Sequence, residues 1–205
     1  MMRDFINQLA HDEDGLAAEF ALVVPLLLVF VLGTIDVGLY AFRINQAEKA
    51  TQIGARWAAV TNPLAEEILT TTYTNVTVGS VQIIQGERIP AGALGLLTCT
   101  NTSCTCTTAP CPGTTFNSDA FDLLSARMKR ILPAIKDENI VVEYRGSGLG
   151  FAGNPNGADI SPLITVRLVN MVHQSVVLSP LGVSTSLPDF SYTITAEDTS
   201  GSISN

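Results

Sequence analysis

The chain begins with a polar stretch, MMRDFINQLAHDEDG, and then turns apolar: from Leu16 to Ile35 only Glu19 carries a charge. Those residues, wound as a helix, rise roughly 30 Å, the thickness of one hydrocarbon core. The run therefore predicts one transmembrane helix rather than a buried core helix. A cleaved secretory signal would need a basic start and a small-x-small exit, whereas this start is acidic overall and the exit reads DVGLYAF. A helical period continues past the apolar run, because Ile44, Ala47, Ala50, Ile53, Trp57 and Val60 recur at three- and four-residue steps. Ala47, Ala50, Gly54 and Ala58 lie on an overlapping face, small enough to let another element approach closely. Asn62-Pro63 supplies the stop. One helix from Leu16 to about Val60 is expected, its first half in lipid and its second half amphipathic in water. Pro25 interrupts the lipid half, removing one helical hydrogen bond and kinking the axis.

Beyond Pro63 the texture changes. Thr70–Ile84 is rich in Thr, Val and Tyr, as strands are, and Gly86–Gly113 reads as a loop region. Ser118 can cap a helix whose first turn holds Asp119 and Asp122 and whose apolar stripe is Phe121, Leu124, Met128 and Ile131/Leu132. Strands are expected at Ile140–Tyr144, Ile164–Val169, His173–Leu178 and Tyr192–Ala196, with a frayed tail DTSGSISN. A long N-terminal helix, strands, one more helix and further strands make an α+β fold with an antiparallel sheet.

Composition narrows the function. The 205 residues allow one domain beside a membrane anchor, and a net charge of −8 argues against a nucleic-acid or anionic-lipid binder, which needs a basic patch. No nucleophile–base arrangement, zincin motif or P-loop is present, and neither His11 in the leader nor His173 in a strand context suggests catalysis. The glycine-rich Gly146–Asp159 has no lysine, no helix signal after it and no calcium-loop spacing, so it reads as a long hairpin connection. No catalytic residue, metal or cofactor is expected.

All four cysteines, Cys99, Cys104, Cys106 and Cys111, fall within the Thr/Pro-rich stretch 96–113. An even set in a soluble loop fits disulfides in an oxidising compartment. The spacing C-x4-C-x-C-x4-C lacks the paired C-x2-C knuckles of a zinc site. A Cys104–Cys106 bridge closes too tight a ring. Two pairings remain: Cys99–Cys104 with Cys106–Cys111, or Cys99–Cys106 with Cys104–Cys111. Counting Arg43, Lys49 and Arg56 would put the C-terminal side inside the cell; the cysteines put it outside, and they weigh more.

Two carboxylates bracket the apolar run. Glu19 stands at its entry, where a buried positive group, such as an α-amine freed by cutting after Gly15, would be its natural partner. Asp36 closes the exit, roughly 26 Å further along a helix, as an interfacial carboxylate or a contact to a partner protein.

The segment GLAAEFALVVPLLLVFVLGTIDVGLYAFRINQAEKATQIGARWAA resembles the N-terminal domain of TadE-like proteins, minor pseudopilins of the tight-adherence (Flp) pilus system. Gly15, the Glu19-Phe20 pair, Pro25, the GTIDVG segment with Asp36, and GARWAA at Gly54–Ala59 carry the likeness. The resemblance implies a bacterial inner-membrane protein with a cytoplasmic leader (1–15), a TadE-like membrane and amphipathic helix (16–62) and a small periplasmic domain (63–205). It also implies a prepilin peptidase acting between Gly15 and Leu16, and an assembly surface built from Pro25, Gly33, Asp36, Gly38, Ala47, Ala50 and Gly54. Expected partners are the lipid bilayer, other pilin-like proteins and the inner-membrane assembly machinery. One departure is that Glu19 lies one residue nearer Gly15 than in processed members, which displaces the carboxylate relative to a new amine by about 100° of helix. The other reading from the sequence is a membrane-anchored periplasmic binding module unrelated to filaments.

Overall fold

The computed structural model describes residues 13–175, 184–197 and 201. The leader up to residue 12, the end of the strand expected over His173–Leu178, and most of the expected frayed tail lie outside these. The chain divides into two compact units, Met1–Phe42 with Val172–Thr185, and Arg43–Met171 with Ser186–Asn205.

In the first unit the dominant element is the N-terminal part of helix α1, which runs without a break from Glu13 to Ala59 and takes Pro25 within it. It starts slightly before the expected Leu16. Among the described residues most of its large apolar side chains are uncovered: Phe20 is 71% exposed, Leu26 72% and Phe30 69%. In water that surface would be untenable. An apolar helix of this length with its side chains uncovered fits a single-pass membrane anchor. The rest of the unit is a two-stranded pair, β7 (Val172–Gln174) and β8 (Ser184–Ser186), whose last residue belongs to the second unit.

The second unit is the α+β domain. Its main sheet has the order β4-β3-β5-β6-β9, formed by Cys104–Thr108, Leu96–Cys99, Ile140–Arg145, Leu163–Leu168 and Phe190–Thr195. All its pairings are antiparallel, with Leu97 opposite Tyr144, Tyr144 opposite Ile164 and Ile164 opposite Ile194. The two-residue alternation of strands sends Ile140, Val142 and Tyr144, then Ile164, Val166 and Leu168, to one buried face. The C-terminal part of α1 contributes Ala47, Ala50, Ala55, Ala58 and Ala59 to the buried core. Thr51 is buried on the same helix and satisfies its hydroxyl by donating to the Ala47 carbonyl at 2.7 Å. Helix α3 (Ser118–Lys129; α2 is the short Glu67–Thr70) buries Phe121, Leu124 and Met128, the expected stripe, with Leu132 just beyond.

Two expectations need correction, and a third is met only by short elements. Asn117, not Ser118, caps α3: its backbone is extended and its Oδ1 accepts the Ala120 N–H at 3.0 Å, while Ser118 is already helical. Thr70–Ile84 does hold strands, but only the short β1 (Thr77–Val78) and β2 (Val81–Gln82), because Asn75 at φ 68° and Gly79 at φ 64° turn the backbone out of the extended region. The cysteine stretch within Gly86–Gly113 is not a loop. It is the β3–β4 hairpin, with Leu97, Cys99 and Cys104 buried, and its threonines suit a pleated, half-exposed edge.

Gly146–Asp159 does lie in the connection between antiparallel neighbours, β5 and β6.

Candidate functional site

The chemistry-bearing side chains fall into separate groups. At the start of the anchor, Glu19 and Phe20 are both exposed on α1, and Gly15 and Leu16 lie in the same helix. Further along, a Cβ added at Gly33 or at Gly38 would meet nothing within 4 Å, so the backbone is open to close approach at both. The remaining members of the expected assembly surface are different. Ala47 and Ala50 are fully buried, and a Cβ at Gly54 would stand 2.7 Å from Met128 Sδ of α3. The element that Gly54 admits closely is the chain's own helix α3. Ala47, Ala50 and Gly54 are thus buried within the chain itself, unlike Gly33 and Gly38.

Asp36 is the second group. One oxygen, Oδ2, accepts a hydrogen bond from the Ser175 hydroxyl, and the other, Oδ1, stands 3.4 Å from His173 Nε2. The Tyr40 ring meets the imidazole edge-on with centroids 5.5 Å apart. Only 8% of the His173 side chain and 14% of that of Asp36 are exposed. Asp36 and Tyr40 are brought to one side of α1 by their four-residue spacing. His173 and Ser175 are brought to one side of their segment by a spacing of two.

Aspartate, histidine and serine together invite comparison with a hydrolase triad. The connectivity is wrong for one. In a triad the imidazole stands between carboxylate and hydroxyl, so that it can take the serine proton. Here the carboxylate stands in the middle and the serine proton is committed to it. The arrangement satisfies a carboxylate; it does not activate a nucleophile.

The cysteines form the third group. Cys99 is bonded to Cys104 and Cys106 to Cys111. Of the two pairings left open by spacing, the hairpin register selects this one, because Cys99 and Cys104 are directly opposed across β3 and β4. The second bond ties the outer strand to the segment that follows it. No free cysteine is present and no group of His, Cys, Asp or Glu suited to a metal occurs among the described residues.

The fourth group is built on a carboxylate that was not singled out from the sequence. Asp159 ends the glycine-rich connection and is 5% exposed. Its Oδ2 accepts from Tyr73 N at 2.7 Å, Gly153 N at 2.9 Å and Thr72 Oγ1 at 3.1 Å, and its Oδ1 from Asn154 N at 2.8 Å. Burial alone would raise its pKa, but the donors outweigh that and hold the carboxyl below its ordinary value. This carboxylate organises a loop, and its lone pairs are already engaged by the chain's own donors.

Against known proteins, neither a curated sequence nor a solved structure matches the chain. One family model does, over residues 16–56, and its description is TadE-like protein. The match starts immediately after Gly15 and takes in Glu19, Pro25, Asp36 and Gly54, which carry the likeness in the sequence. The N-terminal helical segment of this chain is TadE-like.

Proposed function

We propose that the protein is a non-enzymatic, membrane-anchored minor pseudopilin that acts in the assembly of tight-adherence pili. The observation that carries this reading is the TadE-like match over 16–56, falling on an uncovered apolar helix with a carboxylate at its entry. That family suggests a role in the tight-adherence pilus system. The disulfides favour an oxidising compartment for the sheet domain, hence a cytoplasmic N-terminus and a periplasmic C-terminal domain at the bacterial inner membrane. Prepilin peptidase would cut between Gly15 and Leu16, and Glu19 would receive the new α-amine, from its own chain or from a neighbour in the assembly. The lateral contacts with other pilin-like helices would use Pro25, Gly33 and Gly38, where the backbone can be approached.

The deciding experiment deletes the gene and inspects the cells for surface filaments and adherence. Loss of both, restored by the intact gene, supports the proposal; normal filaments overturn it. Mass analysis of the membrane-extracted protein tests the processing step separately. A mature chain starting at Leu16 is expected, and an intact leader in cells with active peptidase excludes cleavage.

A further inference from the structure

Asp36 does not stand at the end of the apolar surface. Beyond it on α1, Val37 is 70% exposed, Leu39 40% and Phe42 57%, so uncovered apolar side chains continue for more than a further helical turn. A hydrocarbon core takes about 20 helical residues. Counted from Phe20, the first apolar residue after Glu19, such a core reaches Leu39 and takes in Asp36. A carboxylate at that depth is costly unless it is paired. Its partners come from distant sequence: Ser175 donates to it and His173 stands beside it, while Tyr40, one turn along α1, closes on the imidazole. His173 and Ser175 point inward, 8% and 3% exposed, while Val172 points outward and is 57% exposed. The strand therefore has a polar face turned to the helix and an uncovered face turned away, at the level where the helix is still apolar. No Asp, Glu, Lys or Arg occurs between Arg167 and Asp189, so no formal charge of that kind opposes contact with lipid.

We infer that β7 is a membrane-interface element. With Ser175 just after it, it lies against α1 where acyl chains give way to headgroups, supplies the polar groups that Asp36 needs there, and presents Val172 and Gln174 to lipid. The occupant of its outer face is the bilayer, not a second protein, and the reason is continuity. Val172 is next in sequence to His173, which stands beside Asp36, and uncovered apolar helix side chains flank Asp36 on both sides in sequence, Ile35 at 50% and Val37 at 70% exposed. This inference rests on the single-pass anchor reading, and its test separates the two.

The full chain carrying Trp57→Phe, with Val172→Trp or Phe30→Trp added, is reconstituted in phosphatidylcholine vesicles whose acyl chains are brominated either near the headgroup or near the bilayer centre. Tryptophan emission is then read. Phe30→Trp should lose most emission with deep bromines, which reports the anchor. Val172→Trp should lose most emission with shallow bromines. Gln174→Trp, on the same outward side, gives a second reading if Val172→Trp disturbs folding. Quenching at residue 30 with none at 172 or 174 overturns the inference and leaves the anchor standing. No quenching at any of the three overturns both. Emission at 172 that is indifferent to bromine but shifts to the blue as protein concentration rises assigns that face to a second chain, and also overturns it.

Discussion

Two buried tyrosines should respond in opposite ways to loss of their hydroxyl. Tyr144 on β5 is fully buried, and its hydroxyl accepts the Leu64 backbone N–H at 2.9 Å, just past the stop that ends α1. The Leu64 carbonyl in turn takes the Asn117 N–H at 2.8 Å, at the cap of α3. Tyr144→Phe keeps the ring and its packing, so no cavity opens, but it leaves a buried N–H without its acceptor. That costs about 1–3 kcal/mol. Tyr73 is 3% exposed and its hydroxyl has no hydrogen-bond partner among the described residues. Burial, together with the nearby Asp159 charge, pushes that phenol up to about 12. Tyr73→Phe removes a buried polar atom that gains nothing and should be neutral or mildly stabilising. For a domain of this size each kcal/mol moves the melting temperature by about 2–4 °C. Thermal unfolding of the detergent-solubilised chain should therefore fall by roughly 2–12 °C for Tyr144→Phe and should not fall for Tyr73→Phe. Equal losses in the two variants, or no loss at Tyr144, would refute the assignment of Leu64 as the group that the Tyr144 hydroxyl serves.

Other outcomes follow from the same geometry. Asp159 has a lowered folded-state pKa, so its contribution to stability is present above the unfolded carboxylate value and is lost as pH falls through the folded one. Asp159→Asn should therefore lower stability at neutral pH and flatten the acid limb of a stability–pH curve; an unchanged limb would show that other carboxylates set it. Gly54→Leu should cost about 1–3 kcal/mol in urea unfolding by overpacking against Met128, and adding Met128→Ala should recover part of it; additive losses would remove the contact from the account. Mass analysis without reductant should find the chain lighter by two hydrogens per disulfide, with peptides linking Cys99 to Cys104 and Cys106 to Cys111. Glu19→Ala should lower filament yield more than membrane insertion, and a wild-type yield would discard the amine–carboxylate pairing.

The anchor and the α+β class were legible because both rest on periodicity, which is local. Twenty near-chargeless residues are long and apolar enough to fit a span, and strands betray themselves by alternation. The β3–β4 hairpin was missed because its turn, Thr100–Ser103, has neither Gly nor Pro and its strands are threonine-rich, so polarity passed for irregularity. The disulfide pairing was undecided for the same reason: it depends on a strand register that spacing alone does not give. Asn117 and Ser118 are both good capping residues, and only backbone angles choose between them. The Asp36–His173–Ser175 group was out of reach in principle. Each half shows the right local spacing, but 137 residues separate Asp36 from His173, and nothing local matches one half to the other.

The small residues of α1 carry one more consequence, for transplantation of parts. Ala47, Ala50, Ala55, Ala58 and Ala59 are core residues of the sheet domain, although they sit on the same helix as the anchor. Anchor and domain are thus not separable at Pro63, where the sequence changes texture. A fragment starting there would expose the core that α1 had sealed, and a chimaera that swapped in a foreign helix would need the residues from Arg43 onward retained. The interchangeable piece is the half before Arg43 alone.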